Sequence, residues 1–145
     1  MALYRRILVV VDLTEDSEYI AGRGQTLAAA TGAELHLLHV VEFVPVEPMG
    51  ETLMPAVQME SELLERATTR LTALATKLGI PAANSKVEAG NVKSEILRAA
   101  RARGADLIVM GSRERHGLSI LVNFTEDTVL HAAPCDVLAV RVGRA

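Results

Sequence analysis

Four segments of the chain are short apolar runs in which polar residues do not alternate with apolar ones. Such runs are typical of strands covered on both faces, as in a parallel sheet between two layers of helices. The fifth predicted strand, which is the third along the chain, is also short. The predicted strands are Ile7 to Val11, Leu35 to Val41, Ser85 to Glu88, Leu107 to Met110 and Val137 to Val142.

Between the strands, apolar residues recur at intervals of three and four, which predicts amphipathic helices. The first helix follows the cap residues of the segment Asp12 to Ser17 and ends near Gly32, because glycine readily takes the left-handed conformation at a helix end. Within this helix, Gly22 and Gly24 either weaken it or allow close packing. The other predicted helices are Val57 to Leu78, Val92 to Arg103 and Leu118 to His131.

Strands and helices alternate along all 145 residues, and no linker or internal repeat divides the chain. This alternation predicts a single α/β domain over residues 1–145, with a mostly parallel sheet between helices on both faces. The expected architecture is a single-domain three-layer α/β/α fold with five strands. After the second strand, Glu42 to Pro55 has no clean period and contains several prolines. It predicts a long loop that could cover a ligand, seat a partner or fold back on the core.

Composition narrows the classes of partner. The formal net charge is −3, which argues against nucleic acid because a phosphate backbone requires clustered Lys and Arg. The first apolar run is short and holds Asp12, so it predicts a strand rather than a secretory signal or a membrane span. The single cysteine, Cys135, excludes an internal disulfide, is expected to be buried and inert, and fits a reducing compartment. We therefore expect a cytoplasmic protein with no membrane contact.

The candidate binding site lies where the parallel strands end, because ligands of open α/β sheets bind in the crevice at the carboxyl ends of the strands. Asp12 stands at the end of the first strand. Its carboxylate could accept a hydrogen bond from a ribose hydroxyl, or it could cap the following helix, and both readings stay open. The fourth predicted strand ends just before Gly111, and a polar loop and a helix follow. This arrangement can offer backbone N–H groups to a phosphate.

No motif supports a catalytic or metal centre. The sequence contains no Walker loop, no nucleophile elbow and no H-E-x-x-H segment. We therefore assign no catalytic residue. His36 and His39 lie three apart on a predicted strand and point to opposite faces, which makes them a poor metal pair. We predict no metal site.

Four stretches of the chain, in this order and at this spacing, resemble the universal stress protein family. They are Val9 to Asp12, Leu38 to Val40, Asp106 to Arg113, and His131 to Val140. The resemblance covers nearly the whole chain. It implies an adenine nucleotide α-hydrolase-like fold with the strand order 3-2-1-4-5.

The same resemblance implies a homodimer in which the C-terminal strand, Val137 to Val142, pairs with its symmetry mate. Physical reasoning favours such pairing, because an apolar edge strand invites another chain and a symmetric dimer is the simplest closed solution. The alternative is an edge shielded by Arg141 and Arg144.

Nucleotide-binding members of that family carry a glycine motif that this chain matches only in part. Gly111 occupies the first position, but Glu114 and Phe124 stand where the second and third glycines are expected, and Thr125 supplies the hydroxyl that follows. The chain thus resembles the universal stress protein A branch, whose members lack the full motif and are not regarded as ATP binders. If a nucleotide binds, the resemblance implies the contacts Asp12, Val40, Met110, Gly111, Arg113 and Thr125.

Two functional hypotheses follow. The first is a dimeric, non-enzymatic regulator of the stress response that needs no cofactor, binds ATP weakly or not at all, and acts through protein partners. The second is an ATP- or AMP-binding member of the family that senses the nucleotide or hydrolyses ATP slowly. Glycines in phosphate loops permit positive φ and close approach of the backbone, and Glu114 and Phe124 remove both freedoms, which favours the first hypothesis.

Overall fold

A computed structural model describes residues 3–42, 53–113 and 128–142 of the chain. These residues form one parallel sheet with helices on both faces. The strands are β1 (Arg6–Val10), β2 (Glu34–Val41), β3 (Ser85–Ala89), β4 (Leu107–Arg113) and β5 (Asp136–Val142). The helices are α1 (Ser17–Thr31), α2 (Leu53–Leu78) and α3 (Val92–Arg103), and residues 128–132 are also helical.

The sheet has the order β3-β2-β1-β4-β5, and every pair of neighbouring strands is parallel. Ile7 in the central strand pairs with Leu35 on one side and with Leu107 on the other. The predicted fold class and strand order are therefore confirmed. The described helices contain no segment long and apolar enough to cross a membrane.

Two hydrophobic cores lie on opposite faces of the sheet because successive strand residues point to opposite sides. On one face, Ile7 and Val9 of β1 pack with residues of α1 and α2 such as Ile20 and Leu71. On the other face, Leu8 and its neighbours pack against α3 and the helical residues 128–132. Burial on both faces explains why the strands lack an alternating pattern.

β4 is longer than the sequence pattern predicts. The apolar run ends at Met110, but the strand continues through residues 111–113, which pair with Val140, Arg141 and Val142 of β5. The prediction that the strand ends at Met110 was wrong. The reason is that the neighbouring strand β5 supplies hydrogen-bond partners along the whole segment, and these partners hold a glycine and two polar residues in an extended conformation.

α2 begins earlier than predicted. Its first residue is Leu53, so Leu53 to Pro55 belong to the helix and not to the predicted loop Glu42 to Pro55. Proline is tolerated in the first turn of a helix, where its missing N–H would have no intrahelical partner. Residues 43–52 lie outside the described part of the chain. Most of the predicted helix Leu118 to His131 also lies outside it, and residues 128–132 are helical.

α1 packs closely on β1 at one glycine. A Cβ atom on Gly24 would lie 2.4 Å from Val9 Cγ2, whereas a Cβ on Gly22 would meet nothing within 4 Å. Gly24 thus permits the close approach of helix and strand. Gly22 has no such packing role.

Candidate functional site

The carboxyl ends of β1, β2 and β4 meet in the middle of the sheet. The connection from β1 leads to β2 on one side, whereas β4 lies on the other side of β1, so the strand order reverses at this point. In open α/β sheets such a switch point forms a crevice outside the strand ends. The register pairs Val10 with Leu38 and Val9 with Val109, so the segments beyond these residues are neighbours.

Asp12 follows β1 and is exposed. Its Oδ1 accepts hydrogen bonds from Thr14 N at 3.2 Å, from Thr14 Oγ1 at 2.7 Å and from Ser17 Oγ at 3.3 Å. Ser17 is the first residue of α1 and is buried. The carboxylate therefore stabilises the turn between β1 and α1. The N-cap residue of α1 is Asp16, and none of these three hydrogen bonds comes from a backbone N–H of the helix, so both interpretations of Asp12 stay predictions.

Leu13 has a backbone φ of 60°, the one positive φ outside glycine among residues 3–42, 53–113 and 128–142. Such a conformation is uncommon for a residue with a large side chain and persists only where the surrounding structure holds it. The Leu13 side chain is buried in the core, and the Leu13 carbonyl accepts a hydrogen bond from the Arg70 guanidinium of α2. Neither residue stood out in the sequence, because an arginine on the polar face of a helix carries no local signal.

The two histidines of β2 bind to different parts of the fold. His39 Nδ1 lies 2.7 Å from the Val11 carbonyl, and since a carbonyl only accepts, Nδ1 must carry the proton. His36 Nδ1 lies 2.7 Å from Arg103 Nη1, and since a guanidinium only donates, this nitrogen must be unprotonated. In the described ranges no group of three or more His, Cys, Asp or Glu side chains could hold a metal ion.

Val40 and Met110 contribute their side chains to the core. Both are buried in the cluster on the α3 face, together with Leu8, Ile96 and Ile108. A ligand in the crevice would therefore meet these two residues through their backbone groups. Their assignment as binding residues stays a prediction.

Gly111 has a role in packing. A Cβ atom at this position would lie 2.7 Å from Ile20 Cδ1 and 3.5 Å from Val142 Cγ2. Gly111 does not adopt a positive φ. Its lack of a side chain therefore serves the contact between β4 and α1 and is not diagnostic of a phosphate loop.

The remaining motif residues are described only in part. Arg113 is the last residue of β4 and pairs with Val142. Thr125 lies outside the described residues, as do Glu114 and Phe124. The structure thus gathers Asp12, Val40, Met110 and Gly111 around the carboxyl ends of three neighbouring strands, as the sheet order requires.

Cys135 is half-buried just before β5. Burial raises the pKa of its thiol, and the negative charges of Asp136 and Asp106 raise it further. The Tyr4 hydroxyl donates to Asp136 Oδ2 at 2.9 Å, and this hydrogen bond, with burial, raises the pKa of Tyr4. A thiol with a raised pKa carries little thiolate at neutral pH and is a poor nucleophile.

A groove of about 270 Å³ lies between α3 and the edge strand β3. Glu88 accepts from Lys86 Nζ at 2.9 Å and from Arg98 Nη2 at 3.3 Å, and Arg98 also binds Glu95. Lys86, Glu88, Glu95 and Arg98 thus pair with one another, and Arg103, which also lines the groove, pairs with His36. The ion pair between Arg98 and Glu88 joins α3 to the outer strand β3. The crevice at the strand ends therefore remains the main candidate site.

A five-stranded parallel sheet in this order, with a crevice at the carboxyl ends of its central strands, defines an adenine nucleotide α-hydrolase-like domain. The model of the universal stress protein family matches residues 3–141. The chain belongs to the universal stress protein family.

Individual relatives agree with this assignment. Universal stress protein A homolog 2 of Coxiella burnetii is 37% identical over 140 residues, which make up 96% of each chain. The solved structure of universal stress protein UspA from Lactobacillus plantarum superposes with a TM-score of 0.71 at 24% identity, covering 97% of this chain and all of that one. A universal stress protein solved in complex with cAMP superposes with a TM-score of 0.59 at 19% identity, covering 97% and 98% of the two chains.

Proposed function

We propose that this member of the family acts in the stress response as a homodimeric regulatory protein without enzymatic activity. In this proposal the protein binds ATP weakly or not at all and needs no cofactor. Membership of the universal stress protein family supports the role in the stress response. The homodimer, the lack of enzymatic activity and the weak or absent binding of ATP are inferred from the residues of the crevice and of the β5 edge.

The observation that carries the proposal is the packing of Gly111. It is the one motif glycine that the sequence retains, and its contact with Ile20 accounts for its presence without a phosphate. The two other motif positions hold Glu114 and Phe124. With Gly111 explained by the core, no glycine of the motif is left that argues for a triphosphate site.

The charge of Glu114 opposes a phosphate at this position of the chain. Two like charges about 4 Å apart repel by about 1 kcal/mol in water and by about 4 kcal/mol at an effective dielectric constant of about 20. A penalty of the larger size corresponds to roughly a thousandfold loss of affinity. This supports weak or absent binding of ATP.

Dimer formation through β5 is supported by the character of that strand. β5 is an edge strand of the sheet, and Leu138 and Ala139 in its middle are exposed, Leu138 to 38%. An exposed apolar edge invites pairing with a second chain. A second copy of β5 in antiparallel register would cover both edges at once.

The proposal also includes a cytoplasmic location and regulation through protein partners. The single cysteine fits a reducing compartment. The slightly negative net charge disfavours nucleic acid as a partner.

The second candidate function is sensing of ATP or AMP, with slow hydrolysis of ATP as an extension. It is favoured by the position of Asp12 at the switch point of the sheet. The family member solved in complex with cAMP shows that the fold can hold an adenine nucleotide in another protein.

Isothermal titration of nucleotide-stripped protein with ATP and Mg²⁺ separates the two candidates. The first predicts no saturable heat at millimolar ATP, and saturable binding in the micromolar range would overturn it. The double substitution Glu114→Gly with Phe124→Gly is expected to create measurable binding. Glu42→Gly serves as the matched control, because it removes an acid outside the motif.

Sedimentation velocity tests the dimer. The variant Leu138→Lys with Ala139→Lys places like charges at the centre of β5, close to their symmetry mates, and is expected to sediment as a monomer. Met59→Lys removes an apolar side chain that is 57% exposed on α2 and should leave the dimer intact. A wild-type protein that is monomeric at all concentrations would refute the dimer.

A further inference from the structure

The turn after β1 has a backbone conformation that its own residues do not favour. Leu13 has a φ of 60°, although L-residues with a Cβ atom avoid the left-handed region. The Leu13 side chain is buried and packs in the core on the α1 face. The conformation is therefore part of the packed fold, and contacts from outside the turn must hold it.

Besides the packing of the Leu13 side chain, three hydrogen bonds from β2 and α2 reach Val11 and Leu13. The Val11 N–H donates to the Leu38 carbonyl at 2.9 Å, and the Val11 carbonyl accepts from His39 Nδ1 at 2.7 Å. Both contacts precede Leu13. The third is the hydrogen bond from Arg70 to the Leu13 carbonyl, and it acts directly on the peptide plane that follows Leu13.

The same peptide plane carries the Thr14 N–H. This N–H and the Thr14 hydroxyl both donate to Asp12 Oδ1, at 3.2 Å and 2.7 Å. A rotation of Leu13 to negative φ would turn the Thr14 N–H away from the carboxylate. Two of the three hydrogen bonds to Asp12 Oδ1 described above therefore depend on the backbone of Leu13, and the third comes from Ser17 Oγ at 3.3 Å.

We propose that Arg70 is a positioning residue, which holds Leu13 in the left-handed conformation and thereby fixes Asp12 at the crevice. α2 thus controls the crevice through a contact between residues 57 positions apart in sequence. The inference concerns the conformation of the turn and goes beyond the proposed function. It holds whether or not a nucleotide binds.

Amide hydrogen exchange, measured residue by residue by NMR on the full chain, tests the proposal. Arg70→Met keeps an unbranched stem of four heavy atoms and removes the guanidinium donor. The Thr14 amide is expected to exchange about tenfold faster, because a hydrogen bond from a charged donor is lost. The amide of Ala105, which donates to Ala100 beyond the end of α3, is expected to keep its exchange rate.

Two further variants separate a positioning role from a merely structural one. Arg66→Met, about one helical turn earlier on α2, should exchange like the wild type at both amides, and Arg70→Lys, which keeps one donor, should restore most of the protection. An unchanged Thr14 amide in Arg70→Met would overturn the proposal. So would a parallel acceleration of Thr14 and Ala105, since that pattern reports only a loss of global stability.

Leu13→Gly supplies an independent check, because glycine takes a positive φ without assistance. In this background, Arg70→Met should change the exchange of Thr14 less than it does in the wild type. Leu13→Asn, which also tolerates the left-handed region, replaces the glycine variant if that variant does not fold. An equal effect of Arg70→Met in both backgrounds would overturn the assigned role.

Discussion

A Cβ atom on Gly111 would lie 2.7 Å from Ile20 Cδ1, a distance that real Cβ contacts do not reach. A larger residue at this position would therefore force the buried Ile20 side chain to shift. Gly111 is the residue that most suggests a phosphate loop, and this contact joins it to the hydrophobic core. Substitutions at Gly111 and Ile20 can therefore test the packing role.

Gly111→Ala is expected to lower the free energy of unfolding by about 1–3 kcal/mol, the usual cost of overpacking a core. Ile20→Val removes the Cδ1 atom that the new methyl group would meet and costs about 0.5–1.5 kcal/mol by itself. The double variant should therefore be more stable than the sum of the two single changes predicts. Urea denaturation of the four proteins measures this coupling, and strict additivity would contradict the packing role.

The two glycines inside α1 are expected to respond in opposite directions. Gly22→Ala should stabilise the protein by about 0.5–1 kcal/mol, because alanine is the better helix former and a Cβ meets nothing within 4 Å. Gly24→Ala should destabilise it by about 1–3 kcal/mol, because the new methyl group would lie 2.4 Å from Val9 Cγ2. Thermal denaturation of both variants measures these two changes in stability. A loss of stability in Gly22→Ala would show that the helix packs differently there.

Tyr4→Phe removes the hydrogen bond to Asp136 and should cost about 1 kcal/mol at neutral pH. The pKa of Tyr4 is raised in the folded protein, so the folded state binds the phenolic proton more tightly than the unfolded state does. The stabilisation is therefore complete below the ordinary tyrosine pKa of about 10 and is lost as the pH rises through the folded value. Denaturation at pH 7 and pH 11 should show the cost shrinking at the higher pH. If the cost of Tyr4→Phe grew with pH, it would contradict a raised pKa of Tyr4 in the folded protein.

The Cys135 thiol should react slowly with a disulfide reagent at pH 8, compared with a small free thiol. Its pKa is raised by burial and, to a smaller extent, by Asp136 and Asp106, and only the thiolate attacks. Asp136→Asn removes one of the two charges and keeps an acceptor for Tyr4, so it should speed the reaction modestly. Equal rates in the wild type and in Asp136→Asn would show that burial alone protects the thiol.

Asn91→Ala is expected to cost about 1 kcal/mol, because the Asn91 side chain accepts from the Ser94 N–H and caps α3. Asn91→Asp keeps the acceptor and should retain most of the stability. Asn84→Ala cannot serve as a matched control, because the side-chain amide of Asn84 donates to the Leu35 carbonyl and the substitution would remove that hydrogen bond. If alanine and aspartate at position 91 are equally stable, the cap does not contribute as assigned.

Much of the fold could be predicted from sequence because its signals are local. α3 was predicted with both of its observed ends, since Asn91 and Gly104 mark the two caps and Ile96 and Ala100 mark the buried face. The predicted strands match β1, β2, β3 and β5 to within one residue at each end. β4 and α2 were predicted too short, because the neighbouring strand extends β4 and because proline in a first helical turn resembles proline in a loop.

The crevice could be located from sequence only in outline. Parallel strands bring their carboxyl ends together, so residues after β1 and β4 had to be neighbours. The burial of Val40 and Met110 agrees with the prediction of strands covered on both faces. The contact between Gly111 and Ile20 could not be foreseen, because it depends on the distance at which α1 packs against the sheet.

The sequence by itself determined the class of this protein. Apolar runs without alternation, separated by helical periods, specify a parallel α/β domain, and the residues Glu114 and Phe124 mark a departure from the glycine motif. Only the tertiary structure decided how Asp12 is held. The turn that contains Asp12 depends on the left-handed conformation of Leu13 and on Arg70, which lies 57 residues after Leu13 in the chain. A local pattern reports which face of an element is buried, whereas a contact between distant residues exists only once the elements have packed.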